Sequence, residues 1–112
     1  MKQNLVVTDT EILAQAEAWI CNGKQVAIAT VLETWGSAPC PPGSCLIATS
    51  DLEFFGSVSG GCIEAEVISE MQNVIVTNTP KILHFGVKAE TAWRVGLACG
   101  GKISVYIEPV SV

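Results

Sequence analysis

The sequence predicts an α+β fold: a single domain, residues 1–112, with a mixed β-sheet of about five strands packed with two main helices. Two stretches have apolar residues at helical spacing, near the start of the chain and again after Cys62. Several short runs are either continuously apolar or alternate strictly, as strands do. The chain is short enough for one domain and long enough to bury a core without staples.

Thr8-Asp9-Thr10-Glu11 reads as a helix start, with Thr8 and Glu11 in capping-box register. Ile12, Leu13, Ala16, Trp19 and Ile20 follow at helical spacing, and Gly23 is the expected stop. Trp19 and Cys21 are expected in or near the core, from the burial habits of their residue types. Gln25 to Glu33 carries a near-continuous apolar run and predicts a central strand covered on both faces. Trp35 to Ser44 breaks that pattern with prolines and glycines and predicts an ordered loop. Such a loop serves either as a connector or as the wall of a site.

Cys45 to Thr49 and Leu52 to Phe55 predict a hairpin turning at Ser50-Asp51. The hairpin leads into Gly56-Ser57-Val58-Ser59-Gly60-Gly61-Cys62-Ile63-Glu64. From Cys62 the chain predicts an amphipathic helix, with Ile63, Val67, Met71, Val74 and Ile75 on its apolar stripe. Asn78-Thr79-Pro80 is a turn, and Lys81 to Phe85 a strand whose His84 is expected to be structural. Ala89 to Trp93 fits a short helix. Lys102 to Glu108 alternates, with Ile103, Val105 and Ile107 on one face, and is a strand.

Composition narrows the function classes. Apolar residues make up 49% and charged residues 15%, so the chain is globular, and so low a charge content fits a surface covered by a partner or a second copy. The net charge of -5 and the scattered six Lys and Arg argue against general binding to nucleic acid or an anionic membrane. The opening Met1–Val7 is too short an apolar run for a signal peptide, and no run reaches transmembrane length, so the cytoplasm is the expected compartment. Five cysteines, at 21, 40, 45, 62 and 99, include no C-x-x-C or zinc-finger spacing and read as free thiols.

Two stretches concentrate the chemistry. In each of Gly60-Gly61-Cys62 and Cys99-Gly100-Gly101, a cysteine adjoins a glycine pair at the junction of two elements. A cysteine in the first turn of a helix tends towards the thiolate. Paired glycines allow close approach and present backbone N–H groups to anions. Three readings stay open on this chemistry. The two thiols hold a soft metal or sulfur-rich cofactor, or they form a redox dithiol, or they are small buried hydrophobes. Glu64, in the first turn beside Cys62, either offsets the helix dipole or reaches into the site. No hydrolytic or nucleotide-binding signature is visible: G-x-S-x-G, Walker A, H-E-x-x-H and G-x-G-x-x-G do not occur. With one histidine and no catalytic constellation, the expectation is a protein that is not an enzyme.

Thr34-Trp35-Gly36-Ser37-Ala38-Pro39, Pro41-Pro42-Gly43, Gly56 to Glu64, Phe85-Gly86-Val87 and Gly96-Leu97-Ala98-Cys99-Gly100-Gly101 occur in that order. Together they resemble the N-terminal domain of the XdhC/CoxI family, over about Gln25 to Val110. That resemblance implies an accessory protein or chaperone that transiently binds molybdenum cofactor. It implies as partners a molybdenum hydroxylase apoenzyme of the xanthine dehydrogenase type and the proteins that mature the cofactor. Self-association, as a dimer, is expected from the low charge. Carried onto this chain, the resemblance makes Cys62 and Cys99 the candidate contacts; Ser59, Gly60, Gly61, Gly100 and Gly101 line the site, with Glu64 as an addition. A thiol redox or sulfur-transfer enzyme using Cys62 and Cys99, and an interaction domain without cofactor, are the competing readings. Two departures stand out. The family commonly has a basic residue where this chain has Cys40, and its members usually carry a second, Rossmann-like domain that is not seen in these 112 residues.

Overall fold

In a computed structural model, residues 9–35, 40–58, 63–86, 94–95 and 102–110 are described. The element order is α1 (Asp9–Cys21), β1 (Val26–Trp35), β2 (Cys45–Thr49), β3 (Phe54–Gly56), α2 (Glu64–Thr77), β4 (Lys81–Gly86), β5 (Arg94–Val95) and β6 (Lys102–Val110). The strands form one sheet in the order β3-β2-β1-β6-β4-β5. Neighbours run antiparallel except β4 and β5, a two-residue parallel pair that makes the sheet mixed. Counting that pair, the described residues form a six-stranded sheet with two helices packed on it, in keeping with the expected α+β fold.

The alternation of side chains along β1 places the helices on opposite faces. Ala27, Ala29 and Val31 belong to the main core, with Val67, Met71 and Val74 of α2 and Ile103, Val105 and Ile107 of β6. Val26 points the other way and packs with Ile12 and Ala16 of α1 and Ile47 of β2. The central strand is therefore covered on both faces, which is why its sequence shows almost no polar interruption. Small alanines at 27, 29 and 48 let α2 lie close to the sheet, while Met71 fills the irregular space between.

Several boundaries differ from expectation for identifiable reasons. β1 runs on to Trp35 rather than stopping at Glu33. A register shift between Val31 and Glu33 marks a bulge, so Leu32 is 43% exposed and the strand continues past it. Leu52 is in the hairpin turn at φ 69°, not in a strand, and β3 starts at Phe54. β6 extends through Pro109. Proline is tolerated there because β4 pairs β6 only as far as Ile107, so beyond it β1 is the one bonded neighbour among the described residues. α2 begins at Glu64 rather than Cys62, and is capped after Thr77 by Asn78, which takes the left-handed conformation and donates its N–H to the Val74 carbonyl.

On α1, Ile12 and Ala16 face the sheet, Trp19 is half-buried against it, and Gly23 ends the turn at φ 83°. The expectation of Cys21 in or near the core fails on this helix. Leu13 is 63% exposed and Cys21 is exposed, because α1 buries only a narrow stripe against β1, β2 and β3. Thr8 and the stretch from Ala89 to Trp93, with their expected cap and short helix, lie outside the described residues. Among the described residues no helix is long and apolar enough to cross a membrane.

Candidate functional site

The hairpin and α2 bring the start of the Gly56–Glu64 stretch to a defined place. Gly56 pairs with Leu46 at the end of β3, and its φ is 98°. A side chain on Gly56 would run into the Cys45 carbonyl and come within 2.7 Å of the Ile12 Cδ1 methyl. Glycine is required twice over here, by the dihedral and by the space. Ser57 then donates its backbone N–H to the Cys45 carbonyl, at 3.0 Å. Val58 turns fully into the core beside α2.

Glu64, the first residue of α2, folds back onto this turn. One carboxylate oxygen, Oε2, accepts the Ser57 hydroxyl at 2.6 Å and the Val58 backbone N–H at 3.0 Å. Both are charge-assisted bonds to a carboxylate, the stronger class. Its place at the helix start also sets a negative charge against the positive dipole end. Glu64 thus sits at the dipole end of α2 and turns its carboxylate onto the Ser57-Val58 turn.

Cys40 joins the same cluster from the proline loop, its Sγ 3.9 Å from Ser57 Oγ. Ser57 has one hydroxyl hydrogen, and Glu64 receives it. Cys40, Ser57 and Glu64 thus form one series of polar contacts. The loop around Cys40 is itself fixed. Ser44 Oγ donates to the Pro41 carbonyl at 2.8 Å, and Gly43 N–H donates to the Val31 carbonyl at 2.8 Å. Residues 40–44 are thus held in place beside β1. The sequence marks Cys40 as a departure but does not join it to Ser57; the information it lacks is the fold of β3 back alongside β2.

Cys45 belongs to the other side of the sheet. Its Sγ lies 3.7 Å from Thr30 Oγ1, donates to the Gly43 carbonyl at 3.4 Å, and packs with the α1 cluster. Though Cys40 and Cys45 are five apart in sequence, their thiols meet different groups: Ser57 for one, Thr30 and Gly43 for the other. His84 is in β4 opposite Ser104 of β6, Nδ1 to Oγ 2.9 Å, in agreement with a structural role.

Of the residues singled out for the site, Glu64 is described. Ser59, Gly60, Gly61, Cys62, Cys99, Gly100 and Gly101 lie outside the described residues. Among the described residues no group of three or more His, Cys, Asp and Glu is arranged to hold a metal ion. The Cys40, Ser57 and Glu64 cluster therefore supplies thiol, hydroxyl and carboxylate groups at one end of the motif, not a metal cage.

Comparison with known proteins adds independent findings. The XdhC and CoxI family model matches residues 19–86, which include the Gly56–Glu64 stretch. The chain is 29% identical over 96 residues to the molybdenum cofactor insertion chaperone PaoD of Escherichia coli, covering 86% of this chain and 30% of that protein. It is 24% identical over 97 residues to a Bacillus subtilis protein described as a probable xanthine dehydrogenase subunit, covering 85% of this chain and 29% of that protein. Among solved structures, a xanthine dehydrogenase from Bacillus halodurans superposes with a TM-score of 0.72 at 26% identity, covering 89% of this chain and 30% of that one. The chain thus spans about 30% of the length of these relatives.

Proposed function

The chain belongs to the XdhC and CoxI family, and on that premise we propose that it is an accessory protein that binds molybdenum cofactor transiently and assists its insertion into a xanthine dehydrogenase-type hydroxylase. The observation that carries this reading is the family match across residues 19–86, together with a relative named for molybdenum cofactor insertion. The chemistry of the motif supports it. A thiol-rich, glycine-lined site suits an anionic, sulfur-containing ligand: backbone N–H groups meet phosphate and oxo oxygens, and thiols meet the soft centre.

In this proposal Cys62 and Cys99 contact the cargo. Ser59, Gly60, Gly61, Gly100 and Gly101 line the site through their backbone. The role of this chain is to hold and shelter the cofactor, not to transform it. The hydroxylase apoenzyme and the cofactor-maturation proteins are its proposed partners, in the cytoplasm, with the domain paired to a second copy.

The test is incubation of the protein with isolated molybdenum cofactor, gel filtration, and metal analysis of the protein peak. Molybdenum is expected to co-elute, and Cys62→Ala or Cys99→Ala to weaken its retention. A wild-type peak without molybdenum rejects the reading. Equal retention by wild type and both variants removes the cysteines from the site. A reversible Cys62–Cys99 disulfide under mild oxidation, seen by mass spectrometry in protein that retains no molybdenum, would favour thiol redox chemistry instead.

A further inference from the structure

We propose that Glu64 is a positioning residue, holding the Ser57-Val58 turn against the head of α2 through its carboxylate oxygen Oε2, and is not itself a contact to the bound ligand. This rests on the assignment of the neighbouring site to an anionic, sulfur-containing cofactor. The residues flanking Ser59-Gly60-Gly61-Cys62 are both anchored in one core cluster: Val58 is 0% exposed and Ile63 is 4% exposed. Glu64 Oε2 bridges these two anchors, since Glu64 adjoins Ile63 in the chain and accepts the Val58 N–H at 3.0 Å. The same oxygen takes the Ser57 hydroxyl at 2.6 Å, and Ser57 Oγ also lies 3.9 Å from the Cys40 thiol.

Two physical arguments separate positioning from contact. An ionised carboxylate only accepts hydrogen bonds. It has no proton to offer phosphate, oxo or sulfur groups, and its charge repels an anion. Conversely, both bonds to the turn need only an acceptor oxygen at the end of a side chain of this length. A glutamine carbonyl has the same reach and two lone pairs, whereas aspartate keeps the charge and loses one methylene.

The reach and the charge can therefore be tested separately in the intact protein, using Glu64→Gln and Glu64→Asp. Exchange of the Val58 amide, followed by NMR, reads the clasp, and molybdenum co-elution with isolated cofactor reads the site. Glu64→Asp is expected to speed Val58 exchange by about tenfold or more and to reduce molybdenum retention, whereas Glu64→Gln rescues both to within about threefold of wild type. Unchanged Val58 exchange in Glu64→Asp overturns the clasp. Full retention by Glu64→Asp with loss in Glu64→Gln overturns positioning in favour of a direct role for the charge. If wild type retains no molybdenum, the cofactor reading fails by itself, and Val58 exchange still decides whether Glu64 holds the turn.

Discussion

Gly56 and Ile12 are in direct apposition: the Ile12 Cδ1 methyl lies 2.7 Å from where a Gly56 Cβ would be, and the Cys45 carbonyl closes the other side. This contact locks the end of β3 to α1 and fixes where the chain leaves for α2. It also makes Gly56 unlike the other left-handed glycines. Gly23, at φ 83°, has nothing within 4 Å of its Cβ position.

Gly56→Ala is accordingly expected to destabilise the domain by about 2–4 kcal/mol, from the dihedral and the clash with backbone together. Gly23→Ala carries the dihedral cost alone, about 1–2 kcal/mol. Urea unfolding of the two variants beside wild type measures the difference. Equal losses would show that the space around Gly56 relaxes without penalty.

The core and the open side of α1 respond differently to truncation. Met71 is 0% exposed between α2 and the sheet, and Met71→Ala is expected to cost about 2–5 kcal/mol. Leu13 is 63% exposed, and Leu13→Ala is expected to change stability by no more than about 0.5 kcal/mol. Thermal and denaturant unfolding check both.

Thr49 organises the hairpin turn. It is 0% exposed, and its Oγ1 accepts the backbone N–H groups of Asp51 at 3.1 Å and Glu53 at 3.2 Å. Thr49→Val keeps the shape and removes the acceptor, so a loss of about 1–3 kcal/mol is expected with faster exchange of both amides. An unchanged midpoint would mean that water replaces the hydroxyl freely.

Lys24, in the connection between α1 and β1, ties that connection to the hairpin through Asp51 at 2.8 Å and Glu53 at 3.2 Å. The hydrogen bond to Asp51, then that to Glu53, raises its pKa above the ordinary 10.5. The sign follows from linkage: the stabilisation is fully present below 10.5 and is lost as pH rises through the higher folded value. NMR titration of the Lys24 side chain is expected to show that Asp51→Asn lowers this pKa more than Glu53→Gln does. The reverse order would reassign the dominant partner.

Much of the architecture was legible because it follows from local periodicity. The alternation of Ile103, Val105 and Ile107 and the stripe of Val67, Met71 and Val74 each identify a buried face without reference to other elements. The near-continuous apolar run from Val26 to Leu32 likewise states that both faces of β1 are covered. The motifs were legible for a different reason, as cysteines set against glycine pairs in a recurrent order.

Burial on α1 was not decided locally. Leu13 and Cys21 have core-like side chains, and only the narrow contact of the helix with β1, β2 and β3 leaves them outside. The bulge at Leu32 and the extension of β6 through Pro109 likewise depend on which strand lies alongside. Nor does any spacing rule join Cys40 to Ser57, or direct Glu64 to Val58 across six positions. Those contacts arise because β3 returns antiparallel to β2 while Val58 and Ile63 are drawn into one core. The sequence by itself determined the elements, their buried faces and the family motifs, since each is encoded within a few residues. The tertiary structure alone decided that Gly56 has room for no side chain and that Glu64 holds the turn, because both depend on atoms brought together from separate elements.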